Sequence, residues 1–211
     1  MPAPQALSYT MAIISRGFRS RRPPVDPSRV PPGQYVTNDF PVLSAGPTPH
    51  TPLADWSFTI RDAVDVQRSW TWDEFALLQR EDIIVDIHCV TKWSKLDTAW
   101  YGVAIDTLLT GIDTTSARYV TAFSDGGYTT NIPLADLTNG KAWIAMGYGG
   151  EPLHPEHGGP ARLLVPHLYF WKSAKWVRGL ELRDHDVPGF WEENGYHDYG
   201  DPWREQRYQG D

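Results

Sequence analysis

From Trp56 onward, hydrophobic and polar positions alternate in short bursts, and the bursts predict strands. Residues 56–60 read as the first, with a turn at 61–64. Thr71 and Glu74 stand three apart ahead of apolar residues, a capping box that predicts a helix running to about Gln79. Residues 82–88 form an apolar strand that runs into Cys89. The pattern at 103–109 predicts a short helix ended by Gly111. Residues 117–123 and 128–132 pair as a hairpin around Gly126 and Gly127. One helical turn at 134–137 precedes strands at 142–146, 161–166 and 175–182. Many short strands with few, short helices predict a mixed, β-rich α+β domain.

Outside that stretch the pattern lapses. Residues 1–34, rich in Pro and Arg, read as an irregular arm, and 35–53 as coil. The folded domain is expected over 35–183. The tail 184–211 carries Trp191, Tyr196, Tyr199 and Trp203 among charges, and is expected to pack on the body. A net charge of −7 argues against a nucleic-acid partner. No stretch reaches the ~18 apolar residues of a membrane span. No export signal is evident: Met11–Ile14 is too short, and the arginines follow it. The expected location is the cytoplasm, which also suits a chain with one cysteine.

That cysteine, Cys89, is the first candidate for chemistry. A lone thiol is a small buried hydrophobe, a nucleophile or a soft metal ligand. Its position at a strand end, before the polar and aromatic segment 91–95, presents it to a cleft. As a nucleophile it would make a thiol hydrolase or transferase, with His88 or a distant histidine as base. A non-catalytic relative using its aromatic surface is a third reading.

Four segments then line up: Asn38-Asp39-Phe40-Pro41; Cys89 with Trp93; Ser124-Asp125-Gly126-Gly127-Tyr128; and His157-Gly158-Gly159-Pro160-Ala161-Arg162 followed by Lys172-Ser173-Ala174-Lys175-Trp176. Together they resemble the sulfite oxidase family, the molybdopterin-binding oxidoreductase domain, in the branch related to the catalytic subunit of bacterial methionine sulfoxide reductase. The resemblance covers about residues 35–183. It implies a molybdopterin cofactor with one molybdenum and a small substrate such as an S-oxide, N-oxide or sulfite. By resemblance Cys89 is the metal ligand and the catalytic residue, and a soft thiolate suits a sulfur-rich centre. The cofactor would be contacted by Asn38, Pro41, Val42, Ser124, His157, Arg162, Ser173, Ala174 and Lys175. Arg and Lys are the cationic donors that a phosphate needs. His88, Lys92, Trp93 and Asp125 are assigned to the substrate rim.

Sulfite oxidases follow their cysteine with a basic pair; here Val90-Thr91-Lys92-Trp93 supplies one lysine and a tryptophan. That favours a neutral or weakly charged substrate. No Cys-x-x-Cys-His motif and no second cysteine is present, so neither a c-type haem nor an iron–sulfur cluster is expected. Electrons are then expected to pass through a separate partner.

Overall fold

The computed structural model describes residues 26–211. Its strands are Tyr35–Val36 (β1), Ser57–Arg61 (β2), Val66–Thr71 (β3), Glu81–His88 (β4), Trp93–Ala104 (β5), Tyr119–Ser124 (β6), Thr129–Pro133 (β7), Trp143–Tyr148 (β8), Glu151–Pro152 (β9), Arg162–Leu164 (β10) and Val177–Arg183 (β11). The α-helices are Trp72–Ala76 (α1), Ile105–Leu109 (α2) and Phe190–Glu193 (α3). The strands form two sheets. One runs β1-β5-β8-β10, with β4 beside β5 and β9 beside β8; the other runs β3-β2-β11-β6-β7. This is the mixed, β-rich α+β fold expected from the sequence.

Successive strand residues face opposite sides of a sheet, and that rule places the core. In the first sheet Val103, Ile144 and Leu163 pack with Phe58, Ile60 and Leu180 of the second, filling the space between sheets. Their neighbours Ala104, Ala145 and Leu164 point the other way, into a second cluster with Ile83, Ile87, Cys89, Trp93, Trp100 and Phe170. The first sheet is thus buried on both faces, and Cys89 belongs to its outer, aromatic face.

Several boundaries differ from the sequence reading. The capping box forms at Thr71 and Glu74, but the helix ends at Ala76 instead of Gln79. Leu77 is 87% exposed, so a further turn would have no apolar face to bury. The helix predicted from 103 starts at Ile105, because Val103 and Ala104 finish the long strand β5. The coil predicted at 35–53 opens with β1, which pairs parallel to β5 at Trp93 and Ser94.

The arm's described part, 26–34, is tied down. Asp26 caps a short turn, and Arg29 bonds Asp86 at 2.6 Å and Asp97 at 2.6 Å. The expectations for residues 1–25 lie outside the described residues. At the other end, α3 sits by β7, and Arg207 Nη2 donates to Pro32 O at 3.3 Å.

Candidate functional site

Cys89 ends β4 and starts the turn into β5. Its N–H donates to Trp93 O at 2.8 Å, and Lys92 N–H donates back to Cys89 O at 3.0 Å. Lys92 takes φ +73°, the left-handed backbone that lets so tight a turn close. Gln34 Nε2 adds a bond to Cys89 O at 3.1 Å. Cys89 is 7% exposed. Burial pushes the thiol pKa up; the Thr91 hydroxyl, the Thr91 and Val90 amides and the Arg162 guanidinium all pull the other way. Burial wins, so the bare thiol is held protonated, and the Thr91 hydroxyl, 3.1 Å from the sulfur, is the donor that would meet a charge placed there.

The cations come from β10 and the segment before β11. Arg162 is 1% exposed. Its Nη1 donates to His157 O at 2.7 Å and its Nη2 to Ser173 O at 2.7 Å. The guanidinium carbon lies 4.0 Å from the Phe170 ring centroid. Its Nε has no partner. Burial pulls its pKa down to about 9, opposed only by Tyr128 and Cys89. Lys175 Nζ donates to Leu43 O at 2.7 Å and Glu156 O at 2.6 Å. Burial and then Arg162 lower it to about 8. Gly158 lets the two approach: at φ +108°, a Cβ there would sit 3.0 Å from Lys175 Cα and 3.1 Å from Arg162 Cβ. A Cβ on Gly159 would meet Leu153 O at 1.9 Å.

His157 ends the turn before these glycines. Its ring stacks on Phe40, centroids 4.0 Å apart at 13°. Burial, Arg162 and Lys175 keep it neutral by lowering its pKa. Phe40 also carries the Asn38 and Pro41 segment, so the stack joins that segment to the cationic loop. The Asn38 carbonyl accepts from Lys95 Nζ, and its side chain is exposed. Pro41 is half-buried and Val42 is 45% exposed. Ser124, at the end of β6, has a buried hydroxyl with no partner. The Ser173 hydroxyl instead accepts from Val165 N–H at 2.9 Å, and the Ala174 carbonyl from Leu163 N–H at 2.9 Å. These two brace the loop through side chain and backbone.

The four rim residues separate. Lys92 is exposed in the Cys89 turn. Trp93 is 3% exposed, with Nε1 lacking a partner. His88 faces away from Cys89, its Nδ1 2.8 Å from Ser94 Oγ and its ring edge-on to Trp203. Burial drives its pKa down to about 4. It is badly placed as a base for the thiol, which leaves a Cys89 hydrolase without a general base beside it. Asp125 is held by Thr51 Oγ1 at 2.6 Å and Arg178 Nη1 at 3.2 Å.

Sequence reasoning passed over Phe40, Thr91 and Tyr196. Tyr196 lies near enough to Cys89 that a thiolate there raises its pKa, after burial and Tyr208. Phe40 and Thr91 both sit inside quoted motifs, which was the available signal; nothing local marks Tyr196.

Whether a molybdenum–pterin group suits these residues can be judged from what they leave open. Among the described residues no three His, Cys, Asp or Glu side chains cluster as a metal cage. A metal at Cys89 would therefore draw its remaining ligands from a cofactor. A buried Arg162 without a carboxylate, a spare Nε, two idle donors at Trp93 and Ser124, and the adjacent Lys175 fit an anionic, hydrogen-bonding group. Two surface clefts, of about 590 and 620 Å³, both border Tyr101, and Cys89 lines neither.

Comparison with known proteins bears on the type of domain. Residues 45–191 match the oxidoreductase molybdopterin binding domain. The chain is 44% identical over 185 residues to the uncharacterized oxidoreductase YuiH of Bacillus subtilis, covering 87% of this chain and 93% of that one. It is 28% identical to the putative protein-methionine-sulfoxide reductase subunit YedZ1 of Azospira oryzae, over 70% of this chain and 56% of that protein. It is 27% identical to the protein-methionine-sulfoxide reductase catalytic subunit MsrP of Pseudomonas syringae pv. tomato, over 69% and 48%. The chain thus spans about half the length of those two reductases. Among solved structures, the sulfane dehydrogenase SoxCD from Paracoccus pantotrophus superposes with a TM-score of 0.59 at 18% identity, over 88% of this chain and 58% of that one. At that identity the likeness is one of fold.

Proposed function

The chain belongs to the sulfite oxidase family of molybdopterin-binding oxidoreductases, and from that premise we propose that Cys89 is the protein ligand of a mononuclear molybdenum cofactor used for oxygen-atom transfer. The observation that carries the reading is that Cys89 and Phe170 share one buried cluster and the Arg162 guanidinium lies 4.0 Å from that Phe170 ring. Cys89 is a buried thiol that accepts from the Thr91 hydroxyl; Arg162 is a buried cation with no carboxylate partner among the described residues. Bound there, the cofactor would supply two-electron redox chemistry at molybdenum, exchanging an oxygen atom with a small S-oxide, N-oxide or sulfite-like substrate.

The chain's own residues do the holding. Arg162 and Lys175 neutralise the cofactor's phosphate and acidic groups. The Phe40–His157 stack sets one wall, and the half-buried Pro41 and exposed Val42 extend it. Ser124 and Trp93 offer unpaired donors among the described residues, while the exposed Asn38 offers its side-chain amide. Lys92 is the cation of the Cys89 turn, so the site suits a neutral or singly charged substrate better than a dianion. Electrons pass to or from a separate protein.

The test is Cys89→Ser in protein from a host that makes the cofactor. Molybdenum is measured by elemental analysis and pterin by fluorescence of its oxidised form. Pterin should stay and turnover should vanish. Full turnover in the variant would sink the ligand assignment.

A further inference from the structure

The turn that fixes Cys89 also aims one side chain at its sulfur. Thr91 Oγ1 donates to Cys89 Sγ at 3.1 Å. Thr91 is otherwise idle: it is exposed, lies outside both core clusters, and its side chain makes no other hydrogen bond among the described residues. Its branched Cβ restricts χ1, so the hydroxyl is oriented in advance. The backbone around it is held by the Lys92–Cys89 and Cys89–Trp93 bonds and by Gln34.

We propose that Thr91 is a positioning residue that tunes Cys89 as a metal ligand, its hydroxyl drawing charge from the coordinated sulfur. The inference rests on Cys89 being the molybdenum ligand. A hydrogen bond to a metal-bound thiolate weakens its donation to the metal. The electron-rich, reduced metal is then favoured, and the reduction potential rises.

The experiment uses cofactor-loaded wild type, Thr91→Val and Thr91→Ser. Valine keeps the shape and removes the donor; serine keeps the donor. Molybdenum content and thermal midpoint should match in all three, because Thr91 supports neither core. In an EPR-monitored redox titration, Thr91→Val should shift the one-electron equilibrium toward the oxidised metal by roughly tenfold, about 59 mV to lower potential. The EPR signal of the one-electron-reduced metal should shift with it, and Thr91→Ser should recover most of both changes. A Thr91→Val protein with wild-type potential and signal overturns the role given to Thr91. Cys89→Ser separates that outcome from failure of the ligand assignment: an unchanged signal there, or wild type without molybdenum, removes both proposals together.

Discussion

Arg162 and Lys172 are both buried cations, but their surroundings differ. Lys172 is paired with Glu192 at 2.6 Å, each side chain at 0% exposure. Its Nζ also bonds Asn131 O, Asn131 Oδ1 and Asp198 O at 2.8, 2.8 and 2.5 Å. Glu192 further accepts from Trp171 Nε1 at 2.9 Å and Thr130 Oγ1 at 3.1 Å. That charge is answered inside the chain, and it fastens the C-terminal segment to β7. Arg162 is given two carbonyls, two ring faces and an unbonded Nε. A buried charge costs several kcal/mol unless an opposite charge meets it. One cation therefore belongs to the fold; the other, in the function we propose, is kept for a ligand.

The comparison breaks most visibly at Lys172. Lys172→Met leaves Glu192 buried without its cation and should cost about 3–5 kcal/mol of folding stability. Adding Glu192→Leu should return much of that loss, as read by urea unfolding. If Lys172→Met unfolds at the wild-type midpoint, the pair is no anchor. Arg162→Met should behave in the opposite way. Cofactor-free protein should lose far less stability than Lys172→Met does, no more than the two carbonyl bonds at His157 and Ser173, while bound molybdenum and pterin fall tenfold or more, at about 1.5–3 kcal/mol for each charged hydrogen bond lost. Normal cofactor content in that variant would put Arg162 with Lys172 as a structural charge.

The smallest effect sharpens the contrast through pH. Burial and Arg162 lower Lys175 to about 8 from its ordinary 10.5. Between those values the unfolded chain holds a proton that the folded chain has released. The cofactor-free protein should therefore gain stability as pH rises from about 8 toward 10.5. Lys175→Met should lose the part of that gain that begins near pH 8, leaving any rise above about 9 to Arg162, and a bound anion should shrink it. Thermal midpoints across this range make the check; a flat wild-type profile would mean Lys175 already has its counter-charge.

The residues legible in the sequence were those whose meaning is local. The Thr71–Glu74 box, the 81–88 strand and the Gly126–Gly127 turn needed only their neighbours. The longest strand, β5, went unseen: Ser94, Lys95, Asp97 and Thr98 break its alternation, and Asp97 takes φ +52°. Its stability comes from strands on both sides, which no window shows. Likewise β3 is exposed except at Trp70, so it offers no buried face to read. In the site, Cys89, Arg162 and Lys175 were recognisable by motif. The Phe40–His157 stack and the Lys172–Glu192 pair join positions far apart in the chain, and only folding reveals them.

The hold on Cys89 reaches back before the segment that the family model matches. The family match opens at residue 45, yet Arg29 grips Asp86 and Asp97, Gln34 holds the Cys89 carbonyl, and Phe40 lies flat on His157. A recombinant fragment trimmed to residues 45–191 would keep the cysteine and both basic residues and lose the brackets that aim them. The working unit begins at least as early as the turn at Pro27–Arg29.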